Sequence, residues 1–143
     1  QFTDTKQLEL NGLLKQYLQD YEEVYDYRNI EVTIDEQDIF NVTMNESLAV
    51  ALLTNLLKNA FVHNIDGGHI RITVTKNSIT FRNSGVENPL DKEHIFERFY
   101  QGTKKEGSTG LGLAIADSIC RLQHLSIRYY FEQKEHCFEI SRQ

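Results

Sequence analysis

The apolar residues of this 143-residue chain fall into a few distinct rhythms. Lys6 to Leu10 alternates briefly and predicts a short edge strand. Asn11 then stands as the N-cap of a helix running to about Tyr25, with Leu14, Leu18, Tyr21 and Tyr25 on its apolar face. Ile30 to Ile34 alternates as a strand, and Ile39 to Met44 reads as another. Glu46 to about Val62 is apolar-rich and long enough for a helix crossing a domain. His69 to Thr75 and Ser78 to Arg82 alternate as two strands joined at Lys76-Asn77. Asp91 to Tyr100 predicts a short helix, and Gln101 to Thr109, with no apolar residue, predicts a loop. Leu111, Ile115, Ile119 and Leu122 recur at helical spacing and define the core face of a further helix. Leu125 to Phe131 and His136 to Ser141 are strands flanking a hairpin turn at Glu132 to Glu135. This mixed order predicts an α+β fold, a two-layer α/β sandwich in which helices pack on one face of a mixed, mostly antiparallel sheet.

Two stretches carry more than packing. The run Gly107-Ser-Thr-Gly-Leu-Gly-Leu-Ala-Ile115 places glycines at a helix N-terminus. Unsatisfied N–H groups and the helix dipole make that position suited to anions, and Gly110 and Gly112 allow close backbone approach. A loop that needs glycines merely to turn would look the same. In Asn55-Leu-Leu-Lys-Asn59-Ala-Phe-Val-His63, Asn55, Asn59 and His63 share one helix face. Asparagine is a poor helix former, so this stripe either bonds a neighbouring loop or faces a ligand cavity with oxygens suited to Mg²⁺. Lys58 reads as solvent-facing.

Composition narrows the class. At 40% hydrophobic and 25% charged, the chain has the balance of a soluble single domain spanning 1–143, and it lacks an apolar run of membrane-spanning length. The net charge of −6 argues against a nucleic-acid partner and leaves room for a nucleotide held by a local nest of N–H groups. Cys120 and Cys137 have no metal spacing and read as buried thiols of a reducing compartment. The five histidines, 63, 69, 94, 124 and 136, show no ligand pairing either. Gln1 to Thr5 is polar and reads as the remnant of a linker in an excised fragment.

Taken together, Asn55-Leu-Leu-Lys-Asn-Ala60, Ile95-Phe-Glu-Arg-Phe-Tyr100 and Gly107 to Ile115 resemble the N, F and G2 boxes of the ATP-binding catalytic domain of sensor histidine kinases. This is the Bergerat-type fold shared with gyrase and Hsp90, and the resemblance covers nearly the whole chain. It implies a protein-histidine kinase domain of the cytoplasm that binds ATP and Mg²⁺. Asn59 would coordinate the metal. Asn55 stands where the gyrase branch carries a catalytic glutamate, and His63 borders the nucleotide. Residues 101–109 would form the ATP lid, in which Lys104 and Lys105 either reach phosphate oxygens or stay solvated. Gly107, Ser108, Thr109, Gly110, Leu111, Gly112 and Leu113 would line the phosphate loop. Phe96 and Phe99 would anchor the lid to the core, and Arg98 either contacts phosphate or packs structurally.

Several positions depart from the family pattern. The adenine-reading box, usually Asp-x-Gly-x-Gly, is Asn83-Ser-Gly85-Val-Glu87, so adenine would be read by a neutral amide. A turn leaving a strand would have the same composition. Glu135-His136 replaces a frequent Gly-Thr, and Val62 stands where many relatives carry Lys or Arg. The resemblance implies that the phosphoacceptor histidine would lie on a separate dimerising helical hairpin of the same parent protein, and no histidine precedes His63 here. The resemblance further implies a response regulator as partner and no membrane contact by this domain. The alternative is a degenerate nucleotide-binding or interaction module without kinase activity.

Overall fold

The computed structural model of the protein describes residues 4–100 and 110–143. Strand β1 (Lys6–Glu9) runs straight into helix α1 (Leu10–Val24) and pairs antiparallel with β3 (Asn41–Met44), a two-stranded sheet of its own. The main sheet holds β2 (Glu31–Glu36), β4 (His69–Val74), β5 (Ser78–Asn83), β6 (Leu125–Glu132) and β7 (Glu135–Arg142), in the order β2-β4-β5-β7-β6. The β2–β4 pair is parallel and the other three pairs are antiparallel. Helices α2 (Glu46–Val62) and α3 (Gly112–Leu122), with α1, form the second layer. The architecture is the expected two-layer α/β sandwich.

Strand register explains the core. Because side chains alternate, one row across the sheet reads Ile34, Ile72, Phe81, Phe138, Tyr129. Phe81 and Phe138 are almost wholly buried, as are Leu52, Leu53, Leu56 and Leu57 of α2 in the same apolar cluster. The neighbouring row is Val32, Ile70, Asn83, His136, Phe131, so two polar residues interrupt an otherwise apolar face. The opposite face is polar. There Arg71, Arg82, Cys137 and Tyr130 lie side by side. Cys120 and Cys137 are both buried and unbridged. Burial pushes their thiols up to about 12 and about 11 respectively.

Four local expectations need correction. Asn11 is not a cap: β1 leads into α1 at Leu10, and Asn11 sits 1% exposed inside the helix. Its amide donates to Glu36 Oε1 and the Asp38 carbonyl, both at 3.0 Å, and accepts from Phe40 N at 2.9 Å, pinning the β2–β3 connection. Asn45 caps α2 instead, its Oδ1 accepting from Leu48 N. Residues 91–100 form successive turns with i→i+3 bonds, His94 to Asp91, Glu97 to His94 and Tyr100 to Glu97, rather than a helix. The Asp91 carboxylate stabilises the turn by accepting from Glu93 N at 3.0 Å and by bonding the His94 ring at 2.6 Å. In α3 the buried residues are Ala114, Ala116, Ile119 and Cys120, whereas Ile115 and Leu122 are exposed. Small alanines let this helix lie close, with Ile119 the one large aliphatic on its buried face. The β6–β7 turn is also tighter than expected, with Gln133 and Lys134 both at positive φ (52° and 63°), the two-residue geometry that matches strand twist.

At one end of the polar face Glu135 is buried under Arg71 and His69. Arg71 donates to both carboxylate oxygens, Nε to Oε2 at 2.9 Å and Nη2 to Oε1 at 2.7 Å, and the His69 ring approaches Oε2 at 2.7 Å. The Arg71 hydrogen bonds, followed by the His69 bond, hold the Glu135 carboxyl at about 2, against an ordinary 4.5, although burial opposes them. A depressed folded-state value contributes stability above pH 4.5 that is lost as pH falls towards 2. Glu135→Gln should therefore lower stability at neutral pH by roughly 1–3 kcal/mol and flatten the acid limb of the stability curve. Urea unfolding followed by circular dichroism from pH 7 down to pH 2 measures both; an unchanged acid limb would mean that this carboxylate is not the titrating group.

Candidate functional site

The C-terminal half of α2, the start of α3 and the end of β5 enclose two adjoining chambers. The outer one, about 170 Å³, is lined by Asn55, Lys58, Asn59 and Val62 of α2 and by His63, which follows it, together with Gly110 to Leu113. The inner one, about 40 Å³, is walled by Asn83, Val86, Leu90, Ile95, His136 and Phe138. Asn59, His63, Tyr100 and Leu113 border both, so the two form one cleft, wide at one end and narrow and apolar at the other.

Several bonds fix the α2 end of this cleft. The last helical carbonyls need partners, and each has one. Asn59 O accepts from His63 N, Ala60 O from the Asn64 amide, and Phe61 O from Asn64 N. Arg28 donates through Nη1 to Phe61 O and Val62 O and through Nη2 to Asn64 O, a cation placed at the negative end of the helix dipole. Asn64 is fully buried and fully satisfied. Its amide also donates to His69 O at 3.0 Å, and its Oδ1 accepts from Ile65 N at 2.8 Å and Ser84 Oγ at 2.6 Å. The Asn64–Ser84 bond ties the end of α2 to the strand exit just after Asn83. Next to it, a Cβ on Gly85 would stand 2.8 Å from the His63 carbonyl oxygen, which is why glycine occupies that position.

The inner wall is held by a directed chain of bonds. Val86 O can only accept, so His136 carries its proton on Nε2 and donates there at 2.7 Å. Nδ1 then accepts from Tyr129 OH at 2.8 Å, and the Tyr129 oxygen accepts from Leu90 N at 2.9 Å. Burial lowers the His136 pKa and favours the neutral ring. Asn83 is 2% exposed; its amide donates to Ser84 O at 2.8 Å, which orients Oδ1 the other way. That oxygen is buried with no hydrogen-bond partner, an acceptor left available on the wall of the inner chamber.

At the outer end Asn55 donates to Ala51 O at 2.7 Å, which leaves its Oδ1 as the acceptor; a Cβ on Gly112 would lie 3.1 Å from that oxygen. The Asn59 side-chain amide has no hydrogen bond among the described residues. Among the described residues helix α3 has no side-chain cap hydrogen bond at its start, a helix N-terminus of the kind that suits anions.

Of the residues expected at the site, Asn55, Asn59, His63, Asn83, Gly110, Leu111, Gly112 and Leu113 line the cleft. Gly85 lies just behind it. Phe96 packs edge-on against Phe138 and supports the inner wall. Phe99 does not anchor anything to the core: it is 67% exposed, at φ 64°, with its N–H bonded to Gly110 O. Arg98 is exposed with its guanidinium over the Phe99 ring and does not line the cleft. Lys104, Lys105, Gly107, Ser108, Thr109 and the expected lid 101–109 lie outside the described residues. Sequence reasoning missed several lining residues, among them Lys58, Val62, Tyr100 and Ile115 of the outer chamber and the apolar wall of the inner one, and it named His136 without a role. The signal for Lys58 was present, because positions 55, 58, 59, 62 and 63 form a single stripe at helical spacing. His136 was marked by strand alternation, which puts it on the inward face beside Asn83.

Comparison with known proteins agrees with this geometry. Residues 44–141 match the family described as histidine kinase-, DNA gyrase B- and HSP90-like ATPases, and the chain belongs to that family. The heme sensor protein HssS of Staphylococcus aureus is 33% identical over 127 residues, covering 85% of this chain and 28% of HssS. The sensor histidine kinase RppB of Synechocystis sp. is 43% identical over 84 residues, covering 52% of this chain and 18% of RppB. The chain thus spans under a third of the length of either relative. The catalytic domain of histidine kinase ThkA superposes with a TM-score of 0.84 at 25% identity, over 96% of this chain and 94% of that one. ThkA has also been solved in complex with a response regulator, where the TM-score is 0.76 at 24% identity over 97% of this chain and 42% of that one.

Gly85→Ala should force the loop after β5 away from α2, because a backbone carbonyl cannot yield as a side-chain tip can. The expected cost is about 1–3 kcal/mol, read as a lowered midpoint of thermal unfolding. A midpoint equal to that of the unaltered chain would mean that the His63–Gly85 approach is not a tight constraint.

Proposed function

We propose that this chain binds Mg²⁺–ATP in the cleft and presents the γ-phosphoryl group to a histidine on a separate helical-hairpin domain of its parent protein, from which it passes to a response-regulator aspartate. The observation that carries the reading is the buried Asn83 oxygen without a partner. A lone acceptor on a narrow apolar wall suits the exocyclic amine of adenine, and it disfavours a base that presents a carbonyl there. Ser84 O fixes the amide so that it cannot turn its donor side to the base. The chemistry of the donors fits Mg²⁺ as well. Asn55 and Asn59 offer amide oxygens at the wide end, and hard cations that share ligands with phosphates favour oxygen donors. When bound, the ion neutralises charge on the phosphates.

The residues of this chain have the remaining tasks. Val86, Leu90, Ile95 and Phe138 exclude water from the base, and Tyr100 and Leu113 border the point where the chambers meet. The uncapped start of α3 offers N–H groups to phosphate oxygens. Asn55 is an amide that cannot take a proton from water, so the site positions a phosphoryl group without activating a hydrolytic nucleophile. Catalysis of this kind is mainly positioning and charge neutralisation. The incoming imidazole nitrogen forms the new N–P bond as the bond to the β-phosphate oxygen breaks, and ADP leaves. The intact, polar-lined cleft favours this reading over a degenerate module. No helix among the described residues is long and apolar enough to cross a membrane, and the HssS and RppB names are consistent with a domain inside a larger sensor.

Isothermal titration with a non-hydrolysable ATP analogue, with and without Mg²⁺, tests the reading. The unaltered chain should bind more tightly with Mg²⁺, and Asn59→Ala should remove that difference while leaving the fold intact. Asn83→Ala should weaken adenosine and the analogue alike by about tenfold, the worth of one buried hydrogen bond, while leaving inorganic triphosphate unaffected. A folded chain that binds no nucleotide would overturn the proposal.

A further inference from the structure

Lys58 reads from sequence as an ordinary solvated lysine, yet the structure puts it on the wall of the outer chamber. It lies one position before Asn59 and three after Asn55, in the stripe of α2 that also holds Val62 and His63. Among the described residues lining either chamber, it is the one permanent cation; the others are amides, glycines, apolar side chains, a tyrosine and histidines. Other cations of the fold are already engaged: Lys6 with Glu46, Lys15 with Glu36, Arg28 with Asp66, Arg71 with Glu135 and Arg128 with Glu139. Lys58 has no ion pair or hydrogen bond among the described residues.

The charge balance makes this position consequential. The chain carries a net charge of −6, so a polyphosphate approaching it meets overall repulsion. Amide oxygens and helix N–H groups orient such a ligand but supply no full positive charge. A lysine stem rooted on a helix whose next-door Leu56 and Leu57 are buried in the core starts from a fixed point, with its ammonium free to swing over the chamber mouth.

We propose that Lys58 contacts the phosphate chain of the bound nucleotide and is the specificity-determining residue that separates nucleoside polyphosphates from nucleosides. The proposal rests on reading the cleft as a nucleotide site. Asn83 and the inner wall select the base, and Lys58 selects for charge at the other end.

The test is titration of the unaltered chain, Lys58→Ala and Lys58→Arg with adenosine, ADP and the non-hydrolysable ATP analogue at several salt concentrations. Lys58→Ala should weaken ADP and the analogue by about tenfold, the scale of a charge-assisted hydrogen bond, and leave adenosine unchanged. Its analogue affinity should also fall less steeply with salt than that of the unaltered chain. Lys58→Arg should retain most of the affinity. Equal affinity of Lys58→Ala and the unaltered chain for the analogue would overturn the proposal, as would an equal loss for adenosine, which would make Lys58 a structural residue. Failure of the unaltered chain to bind any of the three would instead reject the nucleotide reading beneath it.

Discussion

The bond between Asn64 and Ser84 is the joint on which the cleft depends. It connects the end of one helix to the end of one strand, and several of the candidate ligand contacts lie within a few residues of either side. Asn59 and His63 precede it on α2, and Asn83 and Gly85 flank it on the β5 side. Asn64 can serve because all its hydrogen-bonding capacity is used: two donors to carbonyls and an oxygen accepting twice. A half-satisfied asparagine at 0% exposure would cost more than it stabilised. Arg28 completes the arrangement from the far side by donating to the Val62 carbonyl, which Asn64 does not reach, and by sharing that of Phe61. The polar and apolar ends of the cleft thereby acquire a fixed separation without any bound ligand.

The inner chamber shows how a hydrophobic sheet accommodates recognition. The row Val32, Ile70, Asn83, His136, Phe131 is the sheet's inward face with two substitutions in polarity. His136 offsets its desolvation by bonding through both nitrogens to partners that also hold the following loop. Asn83 offsets only half, and the oxygen left over carries a standing penalty of about 1–3 kcal/mol until something donates to it. A sheet under selection for stability alone would place Val or Ile there. The orphan acceptor is a local loss of stability held in place by an otherwise well-packed row.

Much of this was legible in the chain. The strands and α2 are set by alternation and by a long helical period, and their bounds match the hydrophobic pattern closely. The Asn55, Asn59, His63 stripe was visible because asparagine in an apolar helix contradicts local propensity and needs a reason. Elsewhere local rules met competing tertiary ones. Asn11 has the side chain of a cap, but Phe40 and Asp38 offer it a buried network worth more than a helix terminus. Ile115 and Leu122 have helical spacing, but α3 packs through Ala114 and Ala116 because closeness, rather than side-chain bulk, decides which face goes inward. Residues 91–100 carry helix-like composition, yet their backbone bonds run i→i+3 and the turns never propagate into a helix. Lys58 is exposed as its sequence position implies, but whether the water it meets fills a cleft depends on which element lies opposite, and that the sequence does not show.

The pair of sulfur atoms has a use that follows from where they lie. Cys120 belongs to the helix layer beside the cleft, and Cys137 sits under the arginines of the sheet's outer face. Each is screened from solvent and held as an unreactive thiol by burial. In the native molecule an alkylating reagent therefore finds nothing to modify until a layer opens. The rate at which each sulfur is captured is then a clock for its own layer, and the difference between the two rates separates motion of the helices over the cleft from fraying of the sheet.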